Sequence, residues 1–291
     1  GILQLGVAMG LLEELAAEKA RQDFIDQLSL ATLNNDVELA RKLLAPYLPA
    51  PPAEPTATNP EEQHEEEDVE EWLFTDPYGW TPLHWAAHRG FIEIVTLILD
   101  SGVDVRVHHV MDARTALHRA CEGGHTDVLN LLVERGASVN ALTTERTTPL
   151  HAAATGGHTD CVARLLAVQD TRVNARSRHG QTPLASAVLS NAVEVVSMLL
   201  ADDRVDANVP DENGWTPLHH AAALNSAELC RVLLEAGADK QLATIAKRTC
   251  LDLCSDEEVR HIIETTEKLE AAPAPEEPPP PVTKPKGKTK K

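Results

Sequence analysis

Residues 79–90 read Gly-Trp-Thr-Pro-Leu-His-Trp-Ala-Ala-His-Arg-Gly, and their centre, Thr81-Pro82-Leu83-His84, recurs along the chain. Copies stand at Thr115-Ala116-Leu117-His118, Thr148-Pro149-Leu150-His151, Thr182-Pro183-Leu184-Ala185 and Thr216-Pro217-Leu218-His219, with a worn one at Thr249-Cys250-Leu251-Asp252. The threonines are 34, 33, 34, 34 and 33 residues apart, and a fixed period of this length marks a stacked repeat array. Each unit reads as two short helices. Thr81 suits an N-cap, and Pro82 is tolerated at the first helical position because its missing N–H has no intrahelical partner there. Leu83, Ala86 and Ala87 make a packing face that lets the paired helix approach closely. Ile92, Ile94, Val95, Ile98 and Leu99 stripe the second helix, which Gly102 ends. No unit buries both faces alone, so stacked neighbours must supply the core.

Thr-Pro-Leu-His at this period, followed by a small-residue run, Gly-His (Gly124-His125, Gly157-His158) and Gly-Ala-Ser-Val-Asn at 136–140, resembles the ankyrin repeat. The resemblance covers about 76–270 and implies an all-α ankyrin-repeat solenoid, each unit a helix–turn–helix plus a finger turn. It defines the fold better than the function, because such an array is a scaffold.

Composition narrows the field. The apolar fraction of 43% is ample for a core, and the net charge of −19 opposes a nucleic-acid backbone as main partner. No run of eighteen apolar residues is present, so no membrane-spanning helix is expected. The five cysteines, Cys121, Cys161, Cys230, Cys250 and Cys254, show neither a disulfide framework nor zinc spacing. They suit a reducing compartment, cytoplasmic or nuclear. His84, His118, His151 and His219 recur at one repeat position, so architecture explains them as hydrogen bonders at helix starts. No metal site, cofactor, catalytic residue or enzymatic activity is expected; phosphate-loop and nucleophile motifs are absent.

Residues 1–22 read as an amphipathic helix through Leu5, Met9, Leu12 and Ala16, either covering the end of the array or forming a dimer seam. Residues 23–48 look like a degenerate capping repeat, with Asn35 in place of glycine. Residues 49–71 are Pro-rich, then acidic, and too poor in apolar groups to order themselves. From Glu61 to Asp76 there are nine acids and no Lys or Arg. Trp72-Leu73-Phe74 then lead into the array and are expected to pack onto repeat one.

The five full repeats run about 76–108, 109–142, 143–176, 177–210 and 211–243, within a domain of 72–243. Ala113 and Arg146 hold the turn position of Gly79, Gly180 and Gly214, so their fingers should differ in shape or stability. Residues 244–270 form a C-terminal cap, where Ser255 and Glu258 have capping-box spacing. The tail 271–291 is Pro-rich, ends in lysines and reads as disordered.

In ankyrin proteins the finger turns and first helices form the partner surface. Carried over by position, this gives Tyr78, Trp80, His88 and Arg89 in repeat one, and Met111, Asp112, Arg114 and Glu122 in repeat two. Repeat three gives Glu145, repeat four Arg178, His179 and Gln181, and repeat five Glu212, Asn213 and Trp215. Trp80 and Trp215 either anchor a partner or lie flat on the neighbouring repeat. They stand about 40 Å apart at roughly 10 Å per helix layer, too far to share one aromatic cage. Tyr78, Trp80 and Trp85 would make only a local one, since Trp85 should face the helix packing.

These features imply a monomeric, non-enzymatic scaffold or adaptor that binds a protein partner, one with a basic segment if the acidic arm takes part. The alternatives are an acidic escort for a basic client and a regulatory or targeting subunit of an enzyme.

Overall fold

A computed structural model describes Lys19 and residues 23–48 and 79–266. A first helix, α1, covers 23–33, and α2 spans Val37–Leu44, closed by a 3-10 turn at Ala45–Tyr47. Six helix pairs follow. They are α3 (Pro82–Arg89) with α4 (Ile92–Asp100), α5 (Ala116–Gly123) with α6 (Thr126–Glu134), and α7 (Pro149–Gly156) with α8 (Thr159–Leu166). Then come α9 (Pro183–Leu189) with α10 (Val193–Leu200), α11 (Pro217–Ala223) with α12 (Ala227–Glu235), and α13 (Cys250–Leu253) with α14 (Glu257–Thr265). The odd-numbered helices from α3 stack in one layer, and the even-numbered ones from α2 stack in the other. Among the described residues the β content is one isolated bridge, His108 to Thr115. One apolar core runs from Leu28 and Leu44 through Leu83, Leu117, Leu150, Leu184 and Leu218 to Ile263.

The recurring Thr-x-x-His tetrad performs two tasks. In α3, α5, α7 and α11 the threonine hydroxyl lies 2.8–2.9 Å from the histidine Nδ1, and Nδ1 also accepts the threonine backbone N–H. Nδ1 is therefore the acceptor and Nε2 carries the proton. That Nε2–H then crosses to the next repeat: His84 donates to Arg114 O, His118 to Thr147 O and His151 to Gln181 O, at 3.0–3.2 Å. Burial strips water from the imidazoles and lowers the pKa of His84 and of His118 from 6.5 to about 4, so both are neutral at pH 7. His219 makes the first set within its own repeat. Two further ladders join the units. His125 and His158 donate to His88 O and Glu122 O, and Asn140, Asn174 and Asn208 each reach two backbone groups of the following repeat.

Ala113 and Arg146 take up the left-handed turn at φ 58°, beside 77–87° for the glycines at that position. The turn survives, and a Cβ in that conformation is strained. Asn35, Asn191 and Asn225 adopt φ of 52–55°, which asparagine tolerates better than most residues. At Arg204, which replaces a helix-ending glycine, the guanidinium instead caps α8 of the repeat before by donating to Leu166 O and Gln169 O. The C-terminal cap differs from expectation. Asp256, not Ser255, caps α14 by accepting from Glu258 N and Val259 N, while Ser255 donates to Asn225 Oδ1. The polar stretch offered two adjacent capping residues, and the packing of Asn225 chose between them. Residues 1–18, 49–71 and 271–291, Trp72-Leu73-Phe74 and Tyr78 lie outside the described residues.

Candidate functional site

The finger turns stand in a row, joined tip to tip by backbone bonds: Thr144 N to Asp112 O, Arg178 N to Glu145 O, Glu212 N to His179 O and Ile245 N to Asn213 O. Together with the first helices they form one face. Along it, the position held by Trp85 passes to Arg119, Ala152, Ser186 and His220. Small side chains in the middle leave a depression of about 450 Å³ between bulkier ends, lined by Arg114, Glu122, Thr147, Ala152, Thr155, Gly156, Gln181 and Ser186.

At the N-terminal end, Trp80 lies flat on the next repeat. Its indole stacks on the His109 imidazole with centroids 3.7 Å apart and planes 9° from parallel. The Arg119 guanidinium sits 4.5 Å from the Trp80 ring centroid and 5.8 Å from that of Trp85. The cation between these two indoles is thus the chain's own. Trp85 meets Trp80 edge to face at 6.5 Å and is half-buried on this face rather than turned fully into the helix packing. Glu122 joins Arg119 at 2.6 Å and Arg114 at 3.0 Å, and Asp112 joins Arg114 and His109. Backbone and side-chain hydrogen bonds, from Arg114 and from His109, hold the Asp112 carboxyl below its ordinary pKa although partial burial opposes them.

The other expected residues divide. His88 is half-buried, and Arg89 and Met111 are exposed. Glu145 pairs loosely with exposed Arg178 and His179. Glu212 and Asn213 are exposed at their fingertip, and Gln181 edges the depression. Trp215 is half-buried with its centroid 5.1 Å from His220. Beneath it, buried Asp211 accepts from Asn213 N, Trp215 N and His220 Nε2. His109 and Arg119 were not legible as members of this face, since their roles arise from contacts between repeats, and Asp211 was missed although its partners all lie within its own repeat.

The chain is a helical solenoid, a class that presents an extended surface rather than a cleft. It belongs to the ankyrin repeat family: the family model matches three times, over residues 28–143, 139–211 and 200–244. Ankyrin repeats are protein-interaction modules. The ankyrin repeat domain of Bcl-3 superposes with a TM-score of 0.65 at 23% identity, covering 82% of this chain and 97% of that one. Human ASB11 gives 0.67 at 23% identity, with 85% and 99% covered. A probable E3 ubiquitin-protein ligase of rice, XBOS33, is 45% identical over 53 residues, 18% of this chain and 10% of the rice protein. The match therefore spans about a tenth of that relative's length.

Proposed function

We propose that this chain is a non-enzymatic adaptor that holds a protein partner against the face of fingers and first helices, centred over repeats two to four. The depression of about 450 Å³ between Arg114 and Ser186 carries this reading. A surface row of polar donors and acceptors around a recess offers both fit and orientation to an extended segment. The match covers a tenth of the rice relative, so the ligase name is not carried over. The nine acids between Glu61 and Asp76 favour a basic partner segment, which they would attract through a field that salt screens within about 8–10 Å. Five free cysteines support residence in the cytoplasm or nucleus. The same acidic run favours the escort reading as the second choice.

The test is affinity capture from cell extract with mass spectrometry, comparing the parent chain with Thr155→Trp, which fills the recess from an exposed position. Partners lost on filling, with the melting curve unchanged, are the expected result. An unchanged partner list would move the interface elsewhere. For a captured partner, neutralising Glu61–Glu71 should slow association and flatten its salt dependence between roughly 50 and 300 mM; an acidic contact surface on that partner would defeat the basic-segment reading.

A further inference from the structure

Finger two is one residue longer than the four fingers that follow it. Thr143, Ser177, Asp211 and Thr244 each donate a backbone N–H to the residue four places on, whereas His109 donates to Arg114, five places on. The tip closes correspondingly wide, Ala113 N reaching His109 O, while Arg146, Gly180, Gly214 and Lys247 each reach back three residues. The extra residue leaves Val110 and Met111 side by side at the tip, 72% and 76% exposed. The loop beneath them is braced. His109 stacks on Trp80 and bonds Asp112, which bonds Arg114 N and accepts Thr144 N through its carbonyl. Two large apolar side chains on a rigid base form an uncovered patch, which water disfavours.

The chain arrives at this patch at Gly79. A Cβ on that glycine would stand 3.0 Å from His109 Nε2 and 3.8 Å from Val110 Cβ. Trp72, Leu73 and Phe74, which lie outside the described residues, precede it by five to seven positions. At about 3.3–3.6 Å per residue they are within roughly 25 Å of Gly79, so the tether spans the distance with slack. Seven upstream neighbours from Glu65 to Glu71 include only one apolar residue, Val69, so this trio is the apolar group the tether brings. We propose that Trp72-Leu73-Phe74 docks on the Val110–Met111 fingertip. The expected packing onto repeat one thus shifts to the finger of repeat two, and the docked segment holds the acidic run beside the N-terminal end of the partner face.

Methionine makes the test direct, because the chain has three, Met9, Met111 and Met198. Full-length protein labelled at the methionine methyl carbon gives a Met111 signal, assigned by its loss in Met111→Leu. Docking places that methyl against Trp72 or Phe74, so the double variant Trp72→Ala, Phe74→Ala should move the signal downfield toward the free-methionine position. Val110→Ser should move it in the same direction while the melting curve stays in place. A Met111 signal indifferent to the double variant overturns the proposal. So does a shift that depends on protein concentration, which would mean that a second copy covers the fingertip.

Discussion

The indole of Trp80 lies parallel to the imidazole of His109 at 3.7 Å, so the most conspicuous aromatic of repeat one is a joint to repeat two. An indole used this way stabilises the array before it serves any partner. Trp80→Ala removes the stack and the Arg119 contact, and should lower unfolding stability by about 2 kcal/mol. A double-mutant cycle in urea with His109→Ala should give a coupling of about 1 kcal/mol. Coupling near zero would return Trp80 to the role of a free partner anchor.

Acid should loosen the array before carboxylates titrate. His84 and His118 stay neutral in the fold down to about pH 4, whereas in the unfolded chain they protonate near 6.5. Below 6.5 the unfolded state therefore binds more protons, and stability falls until pH 4, where both states are protonated. Each histidine contributes about 1.4 kcal/mol per pH unit within that window. Denaturant titrations at several pH values would check it. His84→Gln with His118→Gln keeps a capping side chain and should flatten the slope; an unchanged slope would assign the acid sensitivity to other groups.

The fingers with Ala113 and Arg146 carry backbone strain at φ 58°. Replacing either by glycine relieves it, and the gain exceeds the added entropy of the unfolded chain by about 1 kcal/mol. Raised melting temperatures for Ala113→Gly and Arg146→Gly are expected, and lowered ones would show that the side chains make compensating contacts.

Deleting residues 49–71, which leaves Trp72-Leu73-Phe74 in place, should leave the melting curve of the array unchanged, because a Pro/Glu-rich stretch has little apolar surface to bury. A marked fall in melting temperature would mean that this stretch packs.

The period and the Thr-Pro-Leu-His tetrad determined the fold by themselves, because capping, helix breaking and the apolar stripe are local properties that the residues carry wherever they stand. Even the histidines were readable as hydrogen bonders at helix starts. Spacing alone was ambiguous where the interval reached 34 residues. Between Thr81 and Thr115 the extra residue sits in finger two and exposes Val110 and Met111. Between Thr148 and Thr182 it lies after α8, where Arg204 caps the freed carbonyls. Tertiary structure alone decided which residues meet across repeats. Arg119 over Trp80 and the recess at Ala152 depend on side chains a full repeat or more apart in sequence being stacked side by side, a distance no local rule spans.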